Sequence, residues 1–122
     1  MIFHKKYPVR NGNKEKGEIV TTIPIDFVSN NQDEKNRRVY MFMNKKDELI
    51  VSFNDIRGEG LYRQTKKPLK IRKTGSSYVI GLPLSFTERN RLEVFSKLEM
   101  ELKKGRLVIR PAVSENEEEK ED

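Results

Sequence analysis

The sequence predicts a mainly β fold with short helices, organised as two tandem copies of one small unit. A motif of apolar, proline, apolar, polar and phenylalanine residues occurs at 23–27 and again at 82–86, an offset of 59 residues. Short runs in which apolar and polar residues alternate follow each motif, and this period of two is typical of half-buried strands. Turn-forming residues separate the runs, so hairpins are expected.

The similarity between the two segments continues beyond the proline motif, which favours an internal repeat. The same offset holds for the next predicted strand, and one extra residue in the first segment's turn reduces it to 58 for the last strand. The aligned stretches are 39–43 with 98–102 and 49–51 with 107–109. A glycine preceded by basic residues, Gly17 or Gly75, lies upstream of each motif. We therefore interpret the chain as a diverged duplication.

Each copy is predicted to contain a strand, a turn, a strand, a short helix and a closing hairpin. Ser85 and Glu88 fit a capping box, which predicts that the second helix has Ser85 as its N-cap. Leu92 and Phe95 are expected to face the core from this helix. Asp26 takes the equivalent N-cap position in the first copy.

The predicted domains follow the repeat. Residues 1–53 form the first unit, 54–68 a linker with a turn or short strand near 61–62, 69–113 the second unit, and 114–122 an acidic tail. A unit of about 45 residues without a disulfide or metal seldom buries enough apolar surface to fold alone. The two units are therefore expected to share a core, by pairing either within one chain or between the chains of a homodimer.

Composition narrows the function classes. The 122 residues carry a net charge of +6, but the last eight hold six acidic residues and one lysine, so the other 114 carry +11. A basic body is typical of a polyanion-binding protein, although lysine-rich surfaces also serve solubility alone. The chain has no cysteine and one histidine, so no disulfide, metal site or cofactor is expected. No apolar run is long enough for a membrane span or signal peptide, which predicts a cytoplasmic protein.

The second copy resembles the swapped-hairpin AbrB/MazE/SpoVT family. The resemblance covers about 45 residues: a basic strand at 69–73, a Thr-Gly-Ser-Ser turn at 74–77, an apolar strand ending at Leu82-Pro83, and a hairpin at 98–111 that ends in proline. The first copy keeps Gly17, Ile23-Pro24 and the closing hairpin, but its opening strand and turn are longer.

The resemblance implies a fold and a function. Family members form an interleaved dimer in which hairpins exchange to make a small barrel-like body. They are DNA-binding transcription regulators, or antitoxins that bind both operator DNA and a toxin. The DNA-contacting positions carry over to Arg72 and Lys73, with Ser76 and Ser77 in the turn. The family's basic residue two positions before the proline is absent here, since Gly81 stands in that place.

The residues themselves also favour DNA. Basic residues cluster before each glycine, and two such wings suit two stretches of phosphate backbone. Arginine can also pair bidentately with guanine. The competing interpretation is a lysine-rich edge strand that prevents aggregation. The predicted DNA-binding residues are Lys67, Lys70, Arg72, Lys73, Ser76 and Ser77 in the second wing, and Arg10, Lys14 and Lys16 in the first.

The sequence therefore predicts a double-stranded DNA-binding transcription regulator, with self-association and without enzymatic activity. No general base stands near Ser76-Ser77, so nucleophilic catalysis is not expected. One alternative is an antitoxin that binds operator DNA and a partner toxin, and another is a single-strand-binding accessory protein. Tyr40, Phe42 and Tyr78 are candidate base-stacking aromatics, although strand aromatics more often belong to the core.

Overall fold

A computed structural model describes residues 1–29, 37–58 and 60–112, with Lys14 described by its backbone alone. It confirms a mainly β fold with short helices. The strands are β1 (Tyr7–Pro8), β2 (Arg10–Asn11), β3 (Ile19–Ile23), β4 (Arg38–Met43), β5 (Leu49–Ser52), β6 (Tyr62–Arg63), β7 (Leu69–Lys70), β8 (Arg72–Thr74), β9 (Ser77–Gly81), β10 (Lys97–Lys103) and β11 (Arg106–Pro111). The helices are α1 (Ile25–Val28), α2 (Leu84–Arg89) and a 3-10 turn (Lys14–Lys16).

The strands form two antiparallel sheets. The larger sheet has seven strands in the order β1-β10-β11-β5-β4-β6, with β7 also paired to β4. The smaller sheet has the order β2-β3-β9-β8. Within the described ranges both sheets are open, so hydrogen bonding does not close the barrel-like body that the family resemblance implied.

The central pairing of each sheet joins strands that the sequence repeat aligns. In the smaller sheet Thr21 lies opposite Ile80, and Thr22 lies opposite Val79. In the larger sheet Ile50 lies opposite Val108. The repeat offset exchanges the two members of the Thr21–Ile80 pair and the two members of the Ile50–Val108 pair. The register of each central pairing is therefore unchanged when the two segments are exchanged. The two central pairings therefore have the register that an approximate twofold axis through the Thr21–Ile80 and Ile50–Val108 pairs would produce.

The opening strands pair outside their own segment. Strand β1 pairs with β10, and β7 pairs with β4. Tyr7 lies opposite Leu98, and Leu69 lies opposite Val39, so each opening strand pairs at a residue that the repeat offset of 59 aligns with the other. These exchanged pairings occur within one chain.

One hydrophobic core connects the two sheets and both helices. Phe27 of α1 and Phe86 of α2 are fully buried in it, and the Phe27 ring stacks on Phe53 with centroids 4.7 Å apart. The core also takes buried side chains from both sheets, among them Ile23, Ile80, Met41, Leu49, Met100 and Ile109. Residues on both sides of the linker therefore share one apolar interior. No helix in the described part of the chain has the length and apolar character to cross a membrane.

A second, smaller cluster covers part of the outer face of the larger sheet. It contains Phe42, Ile50 and Ile56, with Leu61 packed against them. Phe42 is fully buried there, so it is not available to stack on a base. Strand β6 confirms the short strand expected near 61–62.

Both helices begin two residues earlier than the capping pattern predicts. Pro24 and Pro83 are the N-caps, with extended ψ angles of 140° and 141°, and no side-chain hydrogen bond caps either helix. The prediction that Asp26 and Ser85 are N-caps is therefore wrong. Proline fixes φ near the value that precedes a helix, so the chain turns immediately after it. The Ser85 hydroxyl instead hydrogen-bonds the side-chain oxygen of Gln64.

The expectation for the residues after α2 is half right. Leu92 packs against the core, but Phe95 is 77% exposed and has a φ of 76°. Helix α2 ends at Arg89, so the helical spacing that would turn Phe95 inward does not reach it.

Candidate nucleic-acid interface

The outer face of the four-stranded sheet carries one arginine on each outer strand. Arg10 of β2 lies opposite Val20, and Arg72 of β8 lies opposite Val79. The two valines are equivalent positions of the repeat, so the two arginines are equivalent as well. Both valines are buried yet lie outside the main core cluster, and they line one groove together with the two arginines. We name this groove, lined by Arg10, Asn11, Gly12, Val20, Arg72, Thr74 and Val79, the arginine groove.

Each arginine is held in place by a different partner. The Arg10 Nη2 donates to the Thr22 hydroxyl at 2.7 Å. The Arg72 Nη1 contacts Glu18 Oε1 at 3.1 Å, and the Arg72 side chain stays 47% exposed. A guanidinium that keeps donors free toward solvent can still bind a phosphate or a base edge. The two side chains are therefore positioned on the sheet face and remain accessible from it.

A second basic groove lies beside the first, on the other side of β8. Arg37, Lys70, Arg72 and Lys73 line it together with Ile71, Thr74 and Tyr78. Arg37 and Lys73 both place their cationic groups over the Tyr78 ring, at 5.2 Å and 5.8 Å from its centroid. The Arg37 Nη1 also donates to the Tyr78 hydroxyl at 2.9 Å. These two cations contact the Tyr78 ring, so stacking on a base would require them to move.

Sequence reasoning missed Arg37. The residue lies far along the chain from the basic wings and reaches the second groove because its backbone carbonyl accepts from the Ile71 amide at 2.8 Å. The one signal was the Arg37-Arg38 pair just before a predicted strand. Such a pair does not say which strand it will neighbour.

The other predicted DNA-binding residues take several places. Lys70 and Lys73 join Arg72 in the second groove. Ser76 and Ser77 are exposed at the turn between β8 and β9, where Gly75 has a φ of 61° that favours glycine. Lys67, exposed between β6 and β7, and Lys16, exposed in the 3-10 turn, lie outside both grooves, and the Lys14 side chain lies outside the described part of the chain.

One carboxylate interrupts the basic face. Glu18 is partly buried, which raises its pKa, but hydrogen bonds from the Asn13 backbone amide and from Arg72 outweigh burial and lower the pKa overall. Glu18 is therefore ionised at neutral pH. It stands beside Arg72 on the face that also carries Arg10.

The larger sheet has a different electrostatic character. Arg110 contacts Glu99 at 2.8 Å, Glu101 at 3.3 Å and Glu48 at 3.4 Å, and Lys6 contacts Glu99 at 3.5 Å. Acidic and basic side chains thus alternate on its outer face. Across residues 1–29, 37–58 and 60–112, no group of histidine and acidic side chains has the arrangement to hold a metal ion.

Comparison with known proteins adds no relative. No protein-family model matches the chain, no curated protein matches it, and no solved structure matches it. The function is therefore inferred from the residues and their geometry.

Proposed function

We propose that the chain is a sequence-specific regulator of transcription that binds double-stranded DNA through the outer face of its four-stranded sheet. The observation that carries the proposal is the placement of Arg10 and Arg72 at equivalent positions of the two outer strands, on one groove. Arginine pairs bidentately with guanine in the major groove and also binds phosphates. Lys70 and Lys73 add phosphate contacts beside Arg72. The protein acts by binding and not by catalysis.

The proposed architecture is a pair of AbrB-like units whose opening strands exchange within one chain. The β1–β10 and β7–β4 pairings support it, because each opening strand joins the other segment at one of two residues, Leu98 and Val39, that the repeat offset aligns. In a family of interleaved dimers two chains supply two wings. Here one chain supplies both, and a single molecule would present two basic wings to DNA.

The first test measures affinity for a duplex from the region upstream of the gene. If several phosphates are neutralised, log K falls linearly with log salt, with a slope of about −0.9 per phosphate contact. Arg10→Ala and Arg72→Ala should each weaken binding about tenfold. Lys46→Ala is the matched control, because Lys46 is exposed in the turn between β4 and β5 of the other sheet and should leave the affinity unchanged. An affinity that stays constant between about 50 mM and about 200 mM salt would refute the proposal.

The antitoxin alternative, with its partner toxin, stays a prediction. The acidic tail on which it depends lies outside the described residues.

A further inference from the structure

The two halves of the arginine groove are equivalent in register but not in chemistry. Applying the repeat offset to Thr22 gives Gly81, and applying it to Glu18 gives Ser77. The half around Arg10 therefore has a hydroxyl where the half around Arg72 has no side chain. A carboxylate, Glu18, immediately precedes β3, whereas a hydroxyl, Ser77, begins β9.

These differences decide what each arginine contacts. Arg10 donates to the neutral Thr22 hydroxyl, which does not offset the charge of the guanidinium. On the opposite half Gly81 leaves the space above the strand open. A Cβ at Gly81 would lie 3.3 Å from Glu18 Oε2 and 3.8 Å from Arg72 Nη2. The Glu18–Arg72 ion pair thus lies above Gly81, where a larger side chain would have to displace the Glu18 carboxylate.

The ion pair changes what the Arg72 half can bind. A carboxylate repels phosphate, so the non-specific electrostatic attraction is weaker there than around Arg10. A carboxylate also accepts a hydrogen bond from the cytosine amino group, while an arginine donates to guanine. The Arg72 half therefore offers an acceptor and donors together, and the Arg10 half offers donors.

We propose that Glu18 is a specificity-determining residue that makes this chain bind a DNA site with two unlike halves. The inference rests on the proposed function. Its basis is the position of Glu18, which pairs with Arg72 above Gly81 on the face that carries both arginines. The Arg72 half selects bases that present a donor as well as acceptors, and the Arg10 half selects acceptors.

The experiment selects binding sites from a random duplex library with the full chain. Three variants are compared with the unmodified protein: Glu18→Gln, Glu18→Ser, and Glu18→Ser combined with Gly81→Thr. The double variant gives the Arg72 half the chemistry of the Arg10 half at both positions. Its selected bases at the Arg72 half should shift toward those of the Arg10 half, whereas the unmodified protein selects unlike halves. Affinity for random-sequence duplex should rise about fivefold in all three variants, because a phosphate-repelling charge is lost.

Two controls separate specificity from folding and from net charge. Glu18→Gln keeps the size and the hydrogen-bond acceptor of the side chain, so it preserves local packing while it removes the charge. Glu88→Gln makes the same change in net charge on the exposed face of α2 and should leave the selected site unchanged. Circular dichroism and thermal unfolding confirm that each variant is folded.

The outcomes distinguish the two proposals. The role of Glu18 is refuted if the unmodified protein selects a site with two like halves, or if the Glu18 variants select the same site as the unmodified protein. In either case, loss of binding in Arg10→Ala and Arg72→Ala would still support the proposed function. If the unmodified protein shows no salt-dependent affinity for duplex DNA, the proposed function itself fails.

Discussion

Phe95 combines an exposed aromatic ring with a backbone conformation that few L residues adopt. Its φ is 76°, its side chain is 77% exposed, and its backbone amide donates to the Val9 carbonyl at 2.7 Å. A bulky residue in the left-handed region costs roughly 1–2 kcal/mol relative to one without strain. The hydrogen bond to Val9 holds the backbone in place, so the fold and not the side chain selects this conformation.

Replacing Phe95 with glycine should therefore stabilise the protein. The expected gain in the free energy of unfolding is about 1 kcal/mol, because the lost strain exceeds the extra entropy of glycine in the unfolded chain. Urea unfolding measures it. The reverse change, Gly105→Ala at a φ of 75°, should cost about the same amount. A loss of stability in Phe95→Gly would show that the ring makes contacts that outweigh the strain.

The Glu99–Arg110 pair makes stability depend on acid pH. The hydrogen bond from Arg110 lowers the pKa of Glu99 below its usual value of 4.5 despite partial burial, and Lys6 adds to this effect. Because the folded-state pKa is lower than the unfolded one, the contribution is complete above the unfolded pKa and is lost as pH falls through the folded pKa. Glu48 and Glu101 also contact Arg110, so the attraction at neutral pH does not come from Glu99 alone.

Glu99→Gln should accordingly destabilise the protein at pH 7 by about 1 kcal/mol and by much less at pH 3. Thermal unfolding of the variant and of the unmodified protein at the two pH values gives the comparison. Glu88→Gln, on the exposed face of α2, serves as the control and should show little difference at either pH. An equal penalty for Glu99→Gln at both pH values would contradict the electrostatic origin of the effect.

At the scale of elements, the two short helices fill part of the hydrophobic core. Each follows a proline at the end of a strand, and each turns one phenylalanine into the space between the sheets. Helices of four and six residues have little stability of their own. Their burial of Phe27 and Phe86 must therefore stabilise them.

Truncation of the buried phenylalanine tests this account. Phe86→Ala should lower the free energy of unfolding by about 4 kcal/mol, through lost apolar burial and the cavity left behind. Leu84→Ala lies in the same helix at a position that is 67% exposed and should cost less than about 0.5 kcal/mol. Chemical denaturation of both variants gives the difference. Similar costs at the two positions would mean that α2 is not anchored by Phe86.

At the scale of the whole molecule, the two segments are not independent bodies. Strand β1 pairs with β10 of the second segment, and β7 pairs with β4 of the first. Strand β3 of the first segment pairs with β9 of the second, and one core receives side chains from both segments. Either segment alone would expose much of that apolar surface. A segment of about 45 residues seldom buries enough apolar surface to fold alone, so each segment depends on the other for its core.

Separate fragments spanning 1–58 and 60–122 should therefore be unfolded alone and should form β structure when mixed. Circular dichroism of each fragment and of the equimolar mixture measures this directly. Restored β signal in the mixture, with an equal stoichiometry by mass measurement, is the expected result. A stable β fold in either isolated fragment would contradict the shared core.

The residues by themselves determined the local features. The mainly β fold, the alternation in β10 and β11 and the positions of the turns follow from period-two patterns and turn chemistry, which act over a few neighbours. The helix starts were misplaced because the capping pattern at Ser85 competes with the adjacent proline, whose fixed φ decides the turn. Arg10 and Arg72 were predicted to be DNA-binding residues, but the groove that they line together was not predicted.

Only the tertiary structure decided which strands meet. A period-two pattern states that a strand exists and not which partner it takes, so the exchange of β1 and β7, the two open sheets and the pairing of β3 with β9 were beyond local reasoning. The same holds for the contacts that shape the interface. Arg37 reaches Tyr78 across 41 positions, and Glu18 reaches Arg72 across 54 positions. Such contacts depend on register between distant strands, which the whole core sets at once.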